Sequence, residues 1–101
     1  MIEKELSAAA HDVLAERWRQ VAGEGWTPEH DDKHDRGEMA YAAACYALQT
    51  RSGVGMGWLH DIIDRLWPWS AEWWKPKTKR ANLVRAGALI LAEIERIDRA
   101  S

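Results

Sequence analysis

The sequence predicts an all-α fold, a single small bundle of about four helices, and three observations predict it. Apolar residues recur at three- and four-residue spacing in several segments, the period of a helix with one buried face. No window alternates apolar and polar residues over a strand's length, and β-branched residues are sparse outside the helical stripes. At 101 residues, 47% apolar and 30% charged, the chain has room for one domain, 1–101, and one core.

From Lys4 to Ala22 the residues Leu6, Ala10, Val13, Leu14, Trp18 and Val21 mark an amphipathic helix that Gly23 and Gly25 end, with Trp18 placed in the core. Thr27-Pro28-Glu29 reads as a helix start: Thr caps, Pro suits the first position and Glu favours the dipole. That start leads into the run Glu38 to Leu48, broken only by Gly37, where Ala40, Ala43, Ala44 and Ala47 form a small-residue stripe that lets another helix approach. Gln49 to Gly57 is a polar, Gly-rich loop, expected to be the most mobile part of the chain. Its Gly-Val-Gly-Met-Gly run has neither the preceding strand nor the following Lys of a phosphate-binding loop. Leu59, Ile62, Ile63 and Leu66 define a short third helix ended by Pro68. The last helix runs from about Thr78 to Arg99. Its seam of Leu83, Gly87, Ile90, Ile94 and Ile97 is expected to serve the core of the chain itself, with a homodimer as the other customer. Gly87 on that seam permits a close crossing.

Fourteen Lys and Arg stand against sixteen Asp and Glu, a net charge of −2, which argues against steering onto DNA and against sequence-specific DNA binding. The longest apolar stretch, Ala86 to Ala92, is too short to cross a bilayer, and the first residues lack the charged head and apolar run of a signal peptide; no membrane partner and a cytoplasmic location are expected. The single Cys45 sits in an Ala-rich helical pattern and reads as a small buried hydrophobe. Seven of the nine aromatics are Trp, a residue with a large apolar face and an N–H that seeks a partner.

Two segments carry chemistry. Between Glu24 and Glu38 there are six acids against two cations, and on a continuous helix His30, His34 and Glu38 share a face with Asp31 and Asp35 at its flank. Imidazoles and carboxylates at that spacing suit a divalent cation, which makes His30, Asp31, His34 and Glu38 a candidate metal set and a divalent cation the candidate cofactor. Helix capping and direct contact with a ligand are the other readings of the same residues. His11, His60, Asp61 and Asp64 read as structural or solvated. The second segment, Trp67-Pro68-Trp69 followed by Trp73-Trp74-Lys75-Pro76-Lys77-Thr78-Lys79-Arg80 and then Arg85, places indole faces beside cations. A nucleotide needs that combination, because its base stacks and its phosphates meet charge. Trp26, His30, His34, Trp73, Trp74, Lys75, Lys77, Lys79 and Arg80 are therefore the candidate ligand-binding residues. The alternative has the Trp stapling an irregular connection onto the bundle. Arg17, near the acidic stretch, is expected to organise it rather than react.

The blocks Glu16-Arg17-x-Arg19-Gln20, Glu24-Gly25-Trp26-Thr27-x-Glu29-His30-Asp31-Asp32-x-His34-x-x-Gly37-Glu38, Trp73-Trp74-Lys75-Pro76 and the run from Leu83 to Arg96 resemble a family of small phage and prophage proteins of undefined function. The resemblance covers most of the chain and implies a phage-borne accessory protein in a host cell, with no particular reaction. A class-level similarity extends to all-α nucleotide pyrophosphohydrolases of the MazG type, whose Glu-Glu-x-x-Glu motif is not found here, so no catalytic residue is carried over. The leading expectation is a binding module for a phosphorylated nucleotide-like ligand or an acidic partner surface. A divalent-metal-dependent nucleotide phosphohydrolase and an anti-defence inhibitor acting on a host protein are the alternatives.

Overall fold

The computed structural model describes residues 5–51, 53 and 55–101. It is all-α, with α1 (Ala8–Gly23), α2 (Pro28–Asp31), α3 (Glu38–Gln49), α4 (Gly57–Leu66) and α5 (Lys79–Ala100), and no strand among the described residues. A single 3-10 turn, Ala71–Trp73, interrupts the connection between α4 and α5. None of these helices is long and apolar enough to cross a membrane.

Side-chain oxygens start three of the helices. Ser7 accepts from the Ala10 N–H, Thr27 from His30 and Thr78 from Ala81, each satisfying an amide that the first turn leaves without a partner. The expected start at Lys4 lies outside the described residues, and α1 begins at the Ser7 cap. Ser52 and Val54, in the loop expected to be mobile, also lie outside them.

The helix beginning at Thr27 does not continue into the Ala-rich run. It stops after one turn at Asp31, and Gly37, at φ 81°, makes the left-handed step that opens α3. Early termination has a physical reason: Asp31 is 1% exposed and its Oδ2 receives a 2.7 Å hydrogen bond from Arg17 Nη2, which fixes α2 against α1. Arg17 also binds Glu95 on α5 at 3.1 Å and donates to the Trp26 carbonyl at 3.4 Å. It organises the acidic stretch, as its position suggested.

The core joins α3 to α5. Met39, Ala42, Ala43 and Tyr46 pack on Ala86, Leu89 and Ala92, with Trp26, Trp67, Trp69 and Trp74 closing over them. Cys45, Leu59 and Ile63 form a second cluster between α3 and α4. Cys45 is fully buried, and burial pushes its thiol up to about 11, so it is an inert hydrophobe at neutral pH. Of the expected small-residue stripe only Ala43 is buried; Ala40, Ala44 and Ala47 face outwards, because the close approach to α5 uses Ala42 instead.

Two further expectations are corrected. Trp18 is 71% exposed rather than core, since α1 turns Val13, Arg17 and Gln20 towards α5 and leaves Trp18 on its flank. The α5 seam is likewise not the core face: Leu83, Ile90, Ile94 and Ile97 are each about half exposed, and the face of Asn82, Ala86, Leu89 and Ala92 is buried in their place. Gly87 behaves as expected, for a Cβ there would lie 3.2 Å from both Val13 methyls.

Candidate functional site

The structure divides seven of the nine candidate ligand-binding residues between two recesses. The first, of about 360 Å³, is aromatic. Trp26 and His30 stack with parallel rings 6.1 Å apart, His34 meets His30 at 4.9 Å and Trp69 at 5.4 Å, and Trp73, Ser70 and Glu24 complete the lining. Trp26 is delivered by the turn after α1, where its N–H binds the Gln20 carbonyl at 2.9 Å and Gly25, at φ 72°, supplies the reversal. Trp69 follows Pro68, and its indole N–H is buried without a hydrogen-bond partner among the described residues.

Each imidazole in this recess is held by a carboxylate. His30 Nδ1 lies 3.4 Å from Asp31 Oδ1, and His34 Nδ1 lies 3.4 Å from Glu38 Oε2. Burial alone would raise the Glu38 carboxyl, but its own backbone N–H, that of Arg36 at 2.7 Å and the His34 ring outweigh burial and hold it below the usual carboxylate range.

The second recess, of about 410 Å³, is basic. Arg19, Lys75, Lys77, Arg80 and Arg85 line it, with Asp12 and Glu16 among them. Its connection is fastened rather than loose. Tyr46 Oη accepts from the Lys75 N–H at 3.3 Å and from Arg85 Nη1 at 3.1 Å, while the buried Asn82 accepts from the Lys77 N–H at 2.7 Å and donates to the Lys77 carbonyl at 3.3 Å. Glu16 sits between Arg19 at 2.7 Å and Arg85 at 3.5 Å. Burial works to raise its carboxyl, yet the Arg19 hydrogen bond and the charges of Arg19 and Arg85 prevail and hold it low. Five cations against two acids leave the groove with a positive excess.

The recesses adjoin through two contacts. Arg19 Nη1 of the basic groove pairs with Glu24 of the aromatic recess at 3.3 Å, and Lys75 Nζ lies 5.7 Å from the centre of the Trp73 ring.

Trp26, His30, His34 and Trp73 thus line the aromatic recess, and Lys75, Lys77 and Arg80 the basic one. Trp74 joins neither. It packs on Tyr46 at 4.7 Å and Trp67 at 4.9 Å, so it staples the connection to the core instead of offering a stacking face. Lys79 is exposed and lines neither recess. The candidate metal set is not assembled: Asp31 is committed to Arg17, Glu38 is separated from His30 by the break at Gly37, and no group of three or more His, Cys, Asp or Glu among the described residues is placed to hold an ion. Among the lining residues, Asp12, Glu16, Arg19, Glu24, Trp69, Ser70 and Arg85 stood outside the candidate ligand-binding set. Arg19 carried a signal, since Glu16 three residues before it was already grouped with it in one conspicuous block.

No family model, curated protein or solved structure matches this chain.

Proposed function

We propose that the protein is a binding module for a phosphorylated, ring-bearing ligand of nucleotide type, with the ring in the aromatic recess and the phosphate in the basic groove. The observation that carries this reading is the junction of the two recesses at Arg19–Glu24 and Lys75–Trp73. Trp26 and Trp73 offer π faces for a base, and Arg guanidinium groups meet phosphate oxygens in a fork that matches them.

A thermal-shift series, followed by intrinsic Trp fluorescence, tests this. A nucleotide at 100 times its Kd adds about 2.7 kcal/mol of apparent stability, read as a rise in Tm, while the matching nucleoside and inorganic phosphate each give less. Lys77→Ala with Arg80→Ala removes two charge-assisted contacts, each worth about 1.5 to 3 kcal/mol, and weakens nucleotide binding at least about tenfold. A panel of nucleotides that leaves Tm and fluorescence unchanged overturns the reading. So does binding that the double variant leaves intact.

The exposed indoles of Trp73 and Trp58 favour a second reading, a phage-type inhibitor that docks on a host protein. Loss of a captured partner on Trp73→Ala, without any response to nucleotide, distinguishes it.

A further inference from the structure

We propose that a second copy of this chain covers the apolar face made by α1 and α5, giving a two-fold homodimer with the two α5 helices antiparallel. The face is defined by Leu83, Ile90, Ile94 and Ile97 on α5, at 51, 49, 48 and 51% exposure, and by Leu14 and Trp18 on α1, at 46 and 71%. Their placement on one surface follows from the α1–α5 contacts. Val13 meets Gly87 at the crossing, and Glu16 meets Arg85 beside it. On α1, Leu14 and Glu16 lie on opposite sides of Val13; on α5, Ile90 and Arg85 lie on opposite sides of Gly87. The side away from the Glu16–Arg85 pair therefore carries Leu14 and Trp18 next to Ile90 and Ile94.

The exposed area is what a dimer needs. At these exposures the six side chains show on the order of 500 Å² per copy, at the upper end for apolar patches on monomers. A two-fold would cover on the order of 1,000 Å² from them alone, the threshold of a specific interface before flanking residues are counted.

Charge selects the arrangement. Lys79 and Asp98 flank the two ends of the stripe, about 28 Å apart along the helix. Both are exposed, and neither joins an ion pair among the described residues. An antiparallel two-fold through Ile90 sets Leu83 against Ile97 of the second copy and brings Lys79 towards its Asp98. A parallel pairing would set like charges side by side. The symmetric axis also makes the contact closed and self-complementary.

Sedimentation equilibrium of the unaltered chain across the micromolar range is expected to give twice the 11.5 kDa chain mass. Ile94→Glu should weaken dimerisation at least tenfold with the helical circular dichroism unchanged. Mild oxidation of Ile90→Cys, which lies on the proposed axis, should yield a covalent dimer, and the buried Cys45 does not compete. Monomeric mass at every concentration overturns the proposal. It is equally overturned by a dimer that Ile94→Glu leaves intact, or by one whose Ile90→Cys form does not cross-link, since either puts the interface elsewhere.

Discussion

At the scale of single residues, the Arg17–Asp31 pair decides the most. Both side chains are nearly excluded from water, at 9 and 1% exposure, so neither charge tolerates the loss of its partner. Asp31→Ala is expected to cost about 3 to 5 kcal/mol in urea denaturation, because Arg17 stays buried with only the half-exposed Glu95 carboxylate and the Trp26 carbonyl as partners. Arg17→Met combined with Asp31→Leu should cost clearly less than the two single changes added together, since it removes both charges at once. The same variants should quench or shift Trp26 fluorescence, for Arg17 also holds the Trp26 carbonyl. Glu16 sets an acid limb. Its carboxyl lies lower in the folded chain than in the unfolded one, so the stability it contributes is complete above the unfolded value and is lost as pH falls through the folded value. Tm measured against pH should therefore drop on the acid side of the ordinary carboxylate range, and Glu16→Gln should flatten that part of the curve.

Among the elements, the helix starts at Thr27 and Thr78 and the Gly87 crossing were legible because each rests on local chemistry, whereas the Ser7 cap of α1 was missed. Thr27 and Thr78 cap where their sequence context places them, and Thr78→Ala is expected to lower stability by about 1 kcal/mol in the same denaturation experiment. Helix faces were less legible. The periodicity of α5 shows an apolar seam but not which neighbour lies over it, and the face of small residues, Ala86 and Ala92 around Leu89, won the core because α3 brings its own Ala42 and Ala43. Trp18 was misplaced for the same reason: Val13 and Trp18 both fit the α1 stripe, and only the crossing at Gly87 chooses between them. Gly87→Ala tests that crossing. The added methyl gains about 1 kcal/mol of helix propensity but meets Val13 at 3.2 Å, so the gain should appear in a Val13→Ala background and be offset in the native one.

Across the whole molecule, a chain whose net charge is only −2 separates its charges in space. The sequence showed an acidic, His-bearing segment from Trp26 to Glu38 and a basic, Trp-rich one from Trp67 to Arg85, whereas the two recesses cut across them: Trp69 and Trp73 of the second segment join Trp26, His30 and His34, Trp74 turns inward onto Tyr46, and Arg19 reaches the basic groove from α1. The metal-set geometry was lost to the short α2, which no spacing rule anticipates. On the proposed reading, in which a ring sits in one recess and a phosphate in the other, the two respond differently to salt. Ring stacking on Trp26 and Trp73 is short-ranged and nearly independent of ionic strength, while phosphate held by Lys75, Lys77 and Arg80 on an open groove is screened over a Debye length of about 8 to 10 Å. Titrations followed by Trp fluorescence should then show nucleoside affinity almost flat between low and high salt, and nucleotide affinity falling steeply. Lys77→Ala with Arg80→Ala should bring the nucleotide curve down towards the nucleoside one and remove most of its salt slope. Equal slopes for both ligands would mean that the phosphate does not reach the basic groove, and the two recesses would have to be assigned to separate partners.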